Sequence, residues 1–311
     1  MKKRTQIKRA ILGIFVGLLA LGAYNVVENV FPNMCIKPWR QIPAENKWRY
    51  PNGYLPQDFG LEGQKLSIKS PDNINLSAWL IDSKLDTTFG TVVMLHGISN
   101  CKESNLPRAR MLAEAGYASL LLDLRAHGQS EGEYCTFGFY EKNDLKAVAD
   151  TLESRYPDRP IAIWGASLGG AIAYNTLAYD HRYSFGIIES TFDEFPKVVA
   201  EYGADFMFGL KPQWILNRVI KNACQRAKFD AAAVNPVDAA ATLTQPVLVM
   251  HGDQDDKIPM SFGKHNFDAI PHENKEWVSV SGARHNNLWE TDGKHLQTVL
   301  YEFLDKRKAS N

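Results

Sequence analysis

Ile161-Ala162-Ile163-Trp164-Gly165-Ala166-Ser167-Leu168-Gly169-Gly170 decides the fold. Four apolar residues, the length of a buried strand, run into a serine set among small residues. An apolar stretch of helical period, 168–179, follows at once. Strand, G-x-S-x-G and helix in that order form the context of a nucleophile elbow, a turn so tight that the serine sits in a strained backbone conformation and its neighbours must be small. Gly165, Ala166, Gly169 and Gly170 meet that demand.

Working outward, short apolar runs at 91–95, 118–122, 185–188, 247–250 and 277–280 read as further strands buried on both faces. Stretches of helical period at 106–115, 140–155, 168–179 and 295–306 separate most of them. Before these, 64–69 and 73–81 alternate like an antiparallel pair around Ser70-Pro71-Asp72-Asn73. Strand and helix in alternation predict an α/β fold with a mostly parallel central sheet and helices on both faces. One connection breaks the rhythm. Between Thr191 and Thr244 lie 52 residues rich in aromatics, among them Phe192, Phe195, Tyr202, Phe206, Phe208 and Trp214. That length far exceeds the usual connection, so an inserted helical cap over the end of the sheet is expected.

A serine hydroxyl does not ionise near neutral pH and needs a base within hydrogen-bond reach, itself oriented by a carboxylate. Two later strands end suitably. One runs into His251-Gly252-Asp253-Gln254-Asp255-Asp256-Lys257-Ile258-Pro259, the other into Ser281-Gly282-Ala283-Arg284-His285-Asn286.

With these segments in place, residues 60–307 resemble an α/β-hydrolase of the broad group that holds serine aminopeptidase-like, monoacylglycerol lipase-like and Bem46-like enzymes. The resemblance implies Asp255 as the acid, at the fifth position of an HG-x-x-D-x-x-(V/I)-P pattern, and His285 as the base, in a G-x-x-H loop. Leu95-His96-Gly97-Ile98 is similar to the element that supplies one oxyanion-hole amide, here Ile98; the second comes from Leu168. Asp123-Leu124-Arg125-Ala126-His127-Gly128-Gln129-Ser130 resembles a D-x-R-G-H-G-x-S segment, with Ala126 in place of the usual glycine. The stretch from Phe137 to Asp144 resembles a subgroup of bacterial membrane-associated members.

Each of these residues has a competitor. Ser167 could be a plain helix N-cap. Asp253 and Asp256 rival Asp255, and His265, His272 and His295 rival His285. His96, His127 and His251 lie in turns and are expected to make structural hydrogen bonds, and Arg125 to pair with a carboxylate. The Asp253, Asp255, Asp256 cluster lacks EF-hand spacing. HExxH, Walker and GxGxxG motifs do not occur, so neither a metal nor a nucleotide cofactor is implied. Cys101 and Cys135 follow neighbouring strands, and a disulfide between them is a candidate; no CxxC or zinc spacing links the four cysteines.

Thirty-five basic residues balance thirty-five acidic ones, which gives no electrostatic case for a nucleic-acid partner. The balance hides an asymmetry: Lys2, Lys3, Arg4, Lys8 and Arg9 precede an apolar run that extends to Val27. Basic cluster then apolar segment reads as an export signal, with the basic end inside and the rest of the chain outside the cytoplasm. Ala20 and Gly22 are small enough for a cleaved signal and secretion, while the run is longer than most signal cores and slightly short of the ~20 residues of a comfortable span, which favours an uncleaved single-pass anchor. The expected organisation is anchor or signal over 1–27, a proline-rich extended connector over 28–59, a core over 60–191 and 245–311, and a cap over 192–244.

The expected chemistry is acyl transfer from a carboxylic ester or thioester with an apolar portion, small or lipid-like, through an acyl-enzyme on Ser167. Free imidazole titrates near ~6.5, so activity at neutral to mildly alkaline pH is expected. An aminopeptidase or amidase is the alternative, with Asp193, Glu194, Glu201 and Asp205 of the cap available to hold a free amino terminus. A membrane-anchored binding protein without catalysis is the third.

Overall fold

The computed structural model describes residues 2–308. Eight strands form one sheet: β1 (Gly63–Lys69), β2 (Asn75–Ile81), β3 (Thr91–Leu95), β4 (Ala118–Leu122), β5 (Ile161–Ala166), β6 (Tyr183–Glu189), β7 (Val247–Gly252) and β8 (Lys275–Val280). Their order is β1-β2-β4-β3-β5-β6-β7-β8, with β1 and β2 antiparallel to their neighbours and the remaining pairs parallel. The expected fold class is therefore found; β3 and β4 coincide with their expected runs, β5, β6, β7 and β8 extend theirs by two or three residues, and β1 and β2 form the expected antiparallel pair.

Alternation along the parallel strands divides the core into two layers. Val93, Leu95, Ile163, Ile188 and Val249 face one side; Val92, Met94, Trp164, Ile187 and Met250 face the other. Helices α4 (Glu141–Arg155) and α5 (Leu168–Tyr179) cover the first side through Leu145, Val148, Ala171 and Ile172. Helices α3 (Leu106–Glu114) and α10 (Leu288–Lys308) cover the second through Leu112, Leu300 and Phe303. The last of these bends at Asp292, whose backbone is not helical, so its long final segment starts close to the expected residue 295. Helix α9 (Met260–Ala269), which packs beside β7, has no counterpart among the expected elements.

The long connection holds α6 (Phe195–Ala204), α7 (Gln213–Ala227) and the short α8 (Pro236–Ala240). The N-terminal helix α1 (Lys2–Asn25) does not give way to an extended connector, and this corrects the expectation for 28–59. A π-helical turn (Val26–Val30) carries it into α2 (Phe31–Ile36), and only then do short 3-10 turns follow at Pro43–Glu45, Lys47–Arg49 and Pro56–Phe59. Pro32 has no N–H to give the carbonyl four residues back. In the structure the Phe31 N–H bonds to the Val26 carbonyl, and Arg226 of α7 donates to the orphaned Glu28 carbonyl and to that of Asn29. The helix thus crosses its own proline with outside donors. The apolar helical segment Arg4–Ile36 is long enough to cross a membrane and its apolar part is not packed against the rest of the chain.

Candidate active site

Parallel strands deliver their C-terminal ends to one rim of the sheet, and the candidate residues meet there. Ser167 follows β5 with φ 54° and ψ −116°, a conformation that a non-glycine residue holds only at a cost of ~1–3 kcal/mol. The surroundings enforce it. A Cβ on Gly165 would lie 2.1 Å from the Gly169 carbonyl oxygen, and one on Gly169 would lie 2.5 Å from that of Leu95. The Ser167 N–H donates to the Glu189 carbonyl at 2.8 Å. Beneath that contact the Glu189 carboxylate accepts from Trp164, Trp289 and both nitrogens of an Arg108 fork, so the strand beside the elbow is pinned by a buried polar network.

His285, from the loop after β8, accepts the Ser167 hydroxyl at its Nε2, 3.1 Å away. Its Nδ1 donates to Oδ2 of Asp255, from the loop after β7, at 2.8 Å. The other Asp255 oxygen accepts the N–H groups of Lys257 and Ile258 at 3.0 and 2.8 Å. Burial pushes the Asp255 carboxyl up, but hydrogen bonds from His251 and His285, with the Ile258 amide, outweigh it and hold the group well below the usual carboxylate range. Asp255 thus presents a fixed negative charge to Nδ1, which leaves Nε2 facing the serine as a proton acceptor.

The rivals lie elsewhere. Asp253 accepts the Gly282 N–H, and Asp256 is exposed. His265 bonds Asp193 at 2.8 Å, and His295 is exposed on α10. His96 donates to its neighbour's carbonyl and accepts the Leu124 N–H; His127 bonds the Arg125 carbonyl and His251 that of Ile258. Arg125 pairs through both fork nitrogens with buried Asp144 and reaches Asp72. Ala126, in the place of the resemblance's glycine, has φ 62°, the left-handed conformation that makes glycine the usual residue there. The candidate disulfide is not formed, which corrects that expectation: all four cysteines are free, and the Cys101 thiol faces the Tyr50 hydroxyl at 3.0 Å.

Ser167 opens into a cavity of about 280 Å³. Ile98, Leu168, Phe192 and Ile258 form its floor, Val198, Val199, Leu216 and Val219 its cap wall, and Phe31, Met34 and Cys35 of α2 close one side. Neither the Ile98 nor the Leu168 N–H is used by a backbone carbonyl among the described residues. Two features of this cavity lay beyond sequence reasoning. One is the contribution of α2. The other is Tyr202 of α6, which lines the same cavity as Ser167. Burial, with the Asp255 charge, pushes its phenol up to about 12, so it remains a hydrogen-bond donor at neutral pH. Asp193, Glu194 and His265 could gather a metal ion, but the Lys197 ammonium already lies 2.6 Å from both carboxylates and supplies the positive charge.

Sheet order, elbow and rim geometry define an α/β-hydrolase, and the chain belongs to that superfamily. Residues 86–192 match the family described as serine aminopeptidase, S33. Protein YqkD of Bacillus subtilis, itself uncharacterized, is 27% identical over 227 residues, 72% of this chain and 73% of that one. The lysophosphatidylserine lipase ABHD12 of Xenopus tropicalis is 23% identical over 238 residues, 71% of this chain but only 58% of the lipase. Among solved structures, the Pyrococcus furiosus esterase Pf2001 superposes with a TM-score of 0.69 at 25% identity, covering 86% of this chain and 98% of the esterase. The chain is accordingly a hydrolase of the esterase, lipase or peptidase type.

Proposed function

We propose that this protein is a membrane-held serine hydrolase that cleaves carboxylic esters or thioesters with a long apolar portion. The observation that carries the reading is the continuous relay from Asp255 through His285 to a strained Ser167 at the floor of an apolar cavity. As Oγ attacks the ester carbonyl, His285 Nε2 takes its proton, and Asp255 stabilises the imidazolium that forms. The tetrahedral oxyanion is held by the Ile98 and Leu168 amides, a contribution of ~10²–10³ in rate for each such donor. His285 returns the proton to the departing alcohol or thiol, and water then attacks the acyl-enzyme with His285 again as base.

The aminopeptidase reading is disfavoured by the cap. A free amino terminus needs an unpaired acid, yet Asp193 and Glu194 share Lys197, Glu201 pairs with Lys211, and Asp205 pairs with Lys257. The names of the lipase and esterase relatives agree with an ester substrate. The apolar N-terminal helix supports retention at a membrane, and the basic cluster before it supports a catalytic body outside the cytoplasm.

The purified full chain is expected to react with a fluorophosphonate probe and to hydrolyse p-nitrophenyl esters in preference to aminoacyl-anilides. Ser167→Ala is expected to abolish labelling and to lower kcat by ~10⁴ or more. A folded wild type that takes no label would leave the binding-protein alternative. Labelling that survives Ser167→Ala would reject the nucleophile.

A further inference from the structure

The tip of the cap is apolar and uncovered. Phe208 is 99% exposed, Trp214 72%, Leu210 67% and Phe206 56%. Single exposed apolar residues are ordinary, but a cluster of this kind marks an interaction surface. Its position identifies the occupant. Phe206 packs on Phe31 of α2, ring centroids 6.0 Å apart. Farther along, Arg218 and Asn222 of α7 hold the Glu28 carboxylate, at 2.6 and 2.9 Å, and Arg226 reaches Asn29 and Asn33. Residues met in rising order on both segments show that α7 and the end of the long N-terminal helix run the same way. Trp214, one turn before Arg218, therefore stands on the side from which α1 arrives. Tyr24 of α1, one helical turn before Glu28, is exposed. Tryptophan and tyrosine at such a level are the residues that settle at a membrane–water boundary.

We propose that the cap tip, through Phe206, Phe208, Leu210 and Trp214, docks into the surface of the same bilayer that α1 crosses, so that the Ser167 cavity takes long-chain acyl esters directly from the membrane. The proposal rests on the reading of α1 as a retained anchor and of Ser167 as nucleophile. Phe31 and Met34 of α2 and Phe206 and Met207 of the tip line the cavity, which makes the patch and the cavity one apolar surface. An acyl chain moving from lipid to Ser167 then need not pass through water.

The test uses the full chain in phosphatidylcholine vesicles. Lipids brominated on the acyl chain are expected to quench wild-type tryptophan fluorescence more strongly than that of Trp214→Phe, because Trp214 reaches the quencher. The double variant Phe208→Asp, Leu210→Asp, outside the cavity, is expected to hydrolyse a vesicle-borne monoacylglycerol at least tenfold more slowly while its rate on water-soluble p-nitrophenyl butyrate stays within twofold. Equal quenching in wild type and Trp214→Phe would overturn the proposal, as would equal losses on both esters. Burial of Trp214 only in cross-linkable dimers would overturn it in favour of a second copy. If neither ester is turned over but the quenching difference stands, docking is supported and the hydrolase reading fails. Release of the protein from vesicles without detergent would overturn docking and anchoring together.

Discussion

At the scale of single residues, the site depends on a serine held in a conformation it would not choose and on a carboxylate that cannot take up a proton near neutral pH. Replacing Asp255 by Asn keeps the shape but removes the charge that fixes the imidazole tautomer. A fall of ~10⁴ in kcat with KM little changed is expected, measured on a p-nitrophenyl ester. Tyr202→Phe removes a hydroxyl from the cavity that Ser167 opens into. A loss of about two- to tenfold in kcat is expected, the worth of a single hydrogen bond; an unchanged kcat would show that the phenol only fills space. The loops that hold Ser167, Asp255 and His285 were legible because each follows an apolar strand and parallel strands bring such loops to one rim; the choice of Asp255 and His285 within them came from the resemblance. Tyr202 was not legible. Its approach depends on how α6 settles over the rim, and no local pattern encodes that.

At the scale of elements, the helix that continues through Pro32 is the clearest case of outside contacts overriding local chemistry. A proline after an apolar run reads as a stop, and the reading fails because the missing donors come from Arg226, almost two hundred residues later. Arg226→Ala is expected to free that turn. Limited trypsin digestion should cut severalfold faster in the segment from 37 to 49, and the ratio of long-chain to short-chain ester activity should fall, since Phe31, Met34 and Cys35 would no longer be held against the cavity. The strands were readable for the opposite reason: the central parallel ones, buried on both faces, announce themselves as unbroken apolar runs, and β1 and β2 as an alternating pair around a turn. The Cys101 and Cys135 expectation failed because neighbouring loops were visible in the sequence, whereas the Tyr50 hydroxyl that occupies Cys101 was not.

At the scale of the whole molecule, two buried imidazoles set a response to acid. His96 and His127 meet edge to face, 5.0 Å between centroids. Burial lowers His127 to about 3, with the neighbouring imidazole adding to the effect, and burial lowers His96 as well. Between about pH 6.5 and 3 the unfolded chain binds protons at these positions that the folded one refuses, so stability is full above that window and falls as pH drops through it. The melting temperature is expected to decline from pH 7.5 to pH 5, and His127→Asn, which retains a donor toward the Arg125 carbonyl, is expected to flatten the decline.

The side wall that α2 gives the cavity has a practical consequence as well. Trimming the greasy leader as far as the end of α2 to obtain a tractable soluble protein would strip Phe31, Met34 and Cys35 from the cavity with it. Such a shortened protein could still turn over small reporter esters, yet its chain-length preference would describe an open-sided trough and not the natural enzyme.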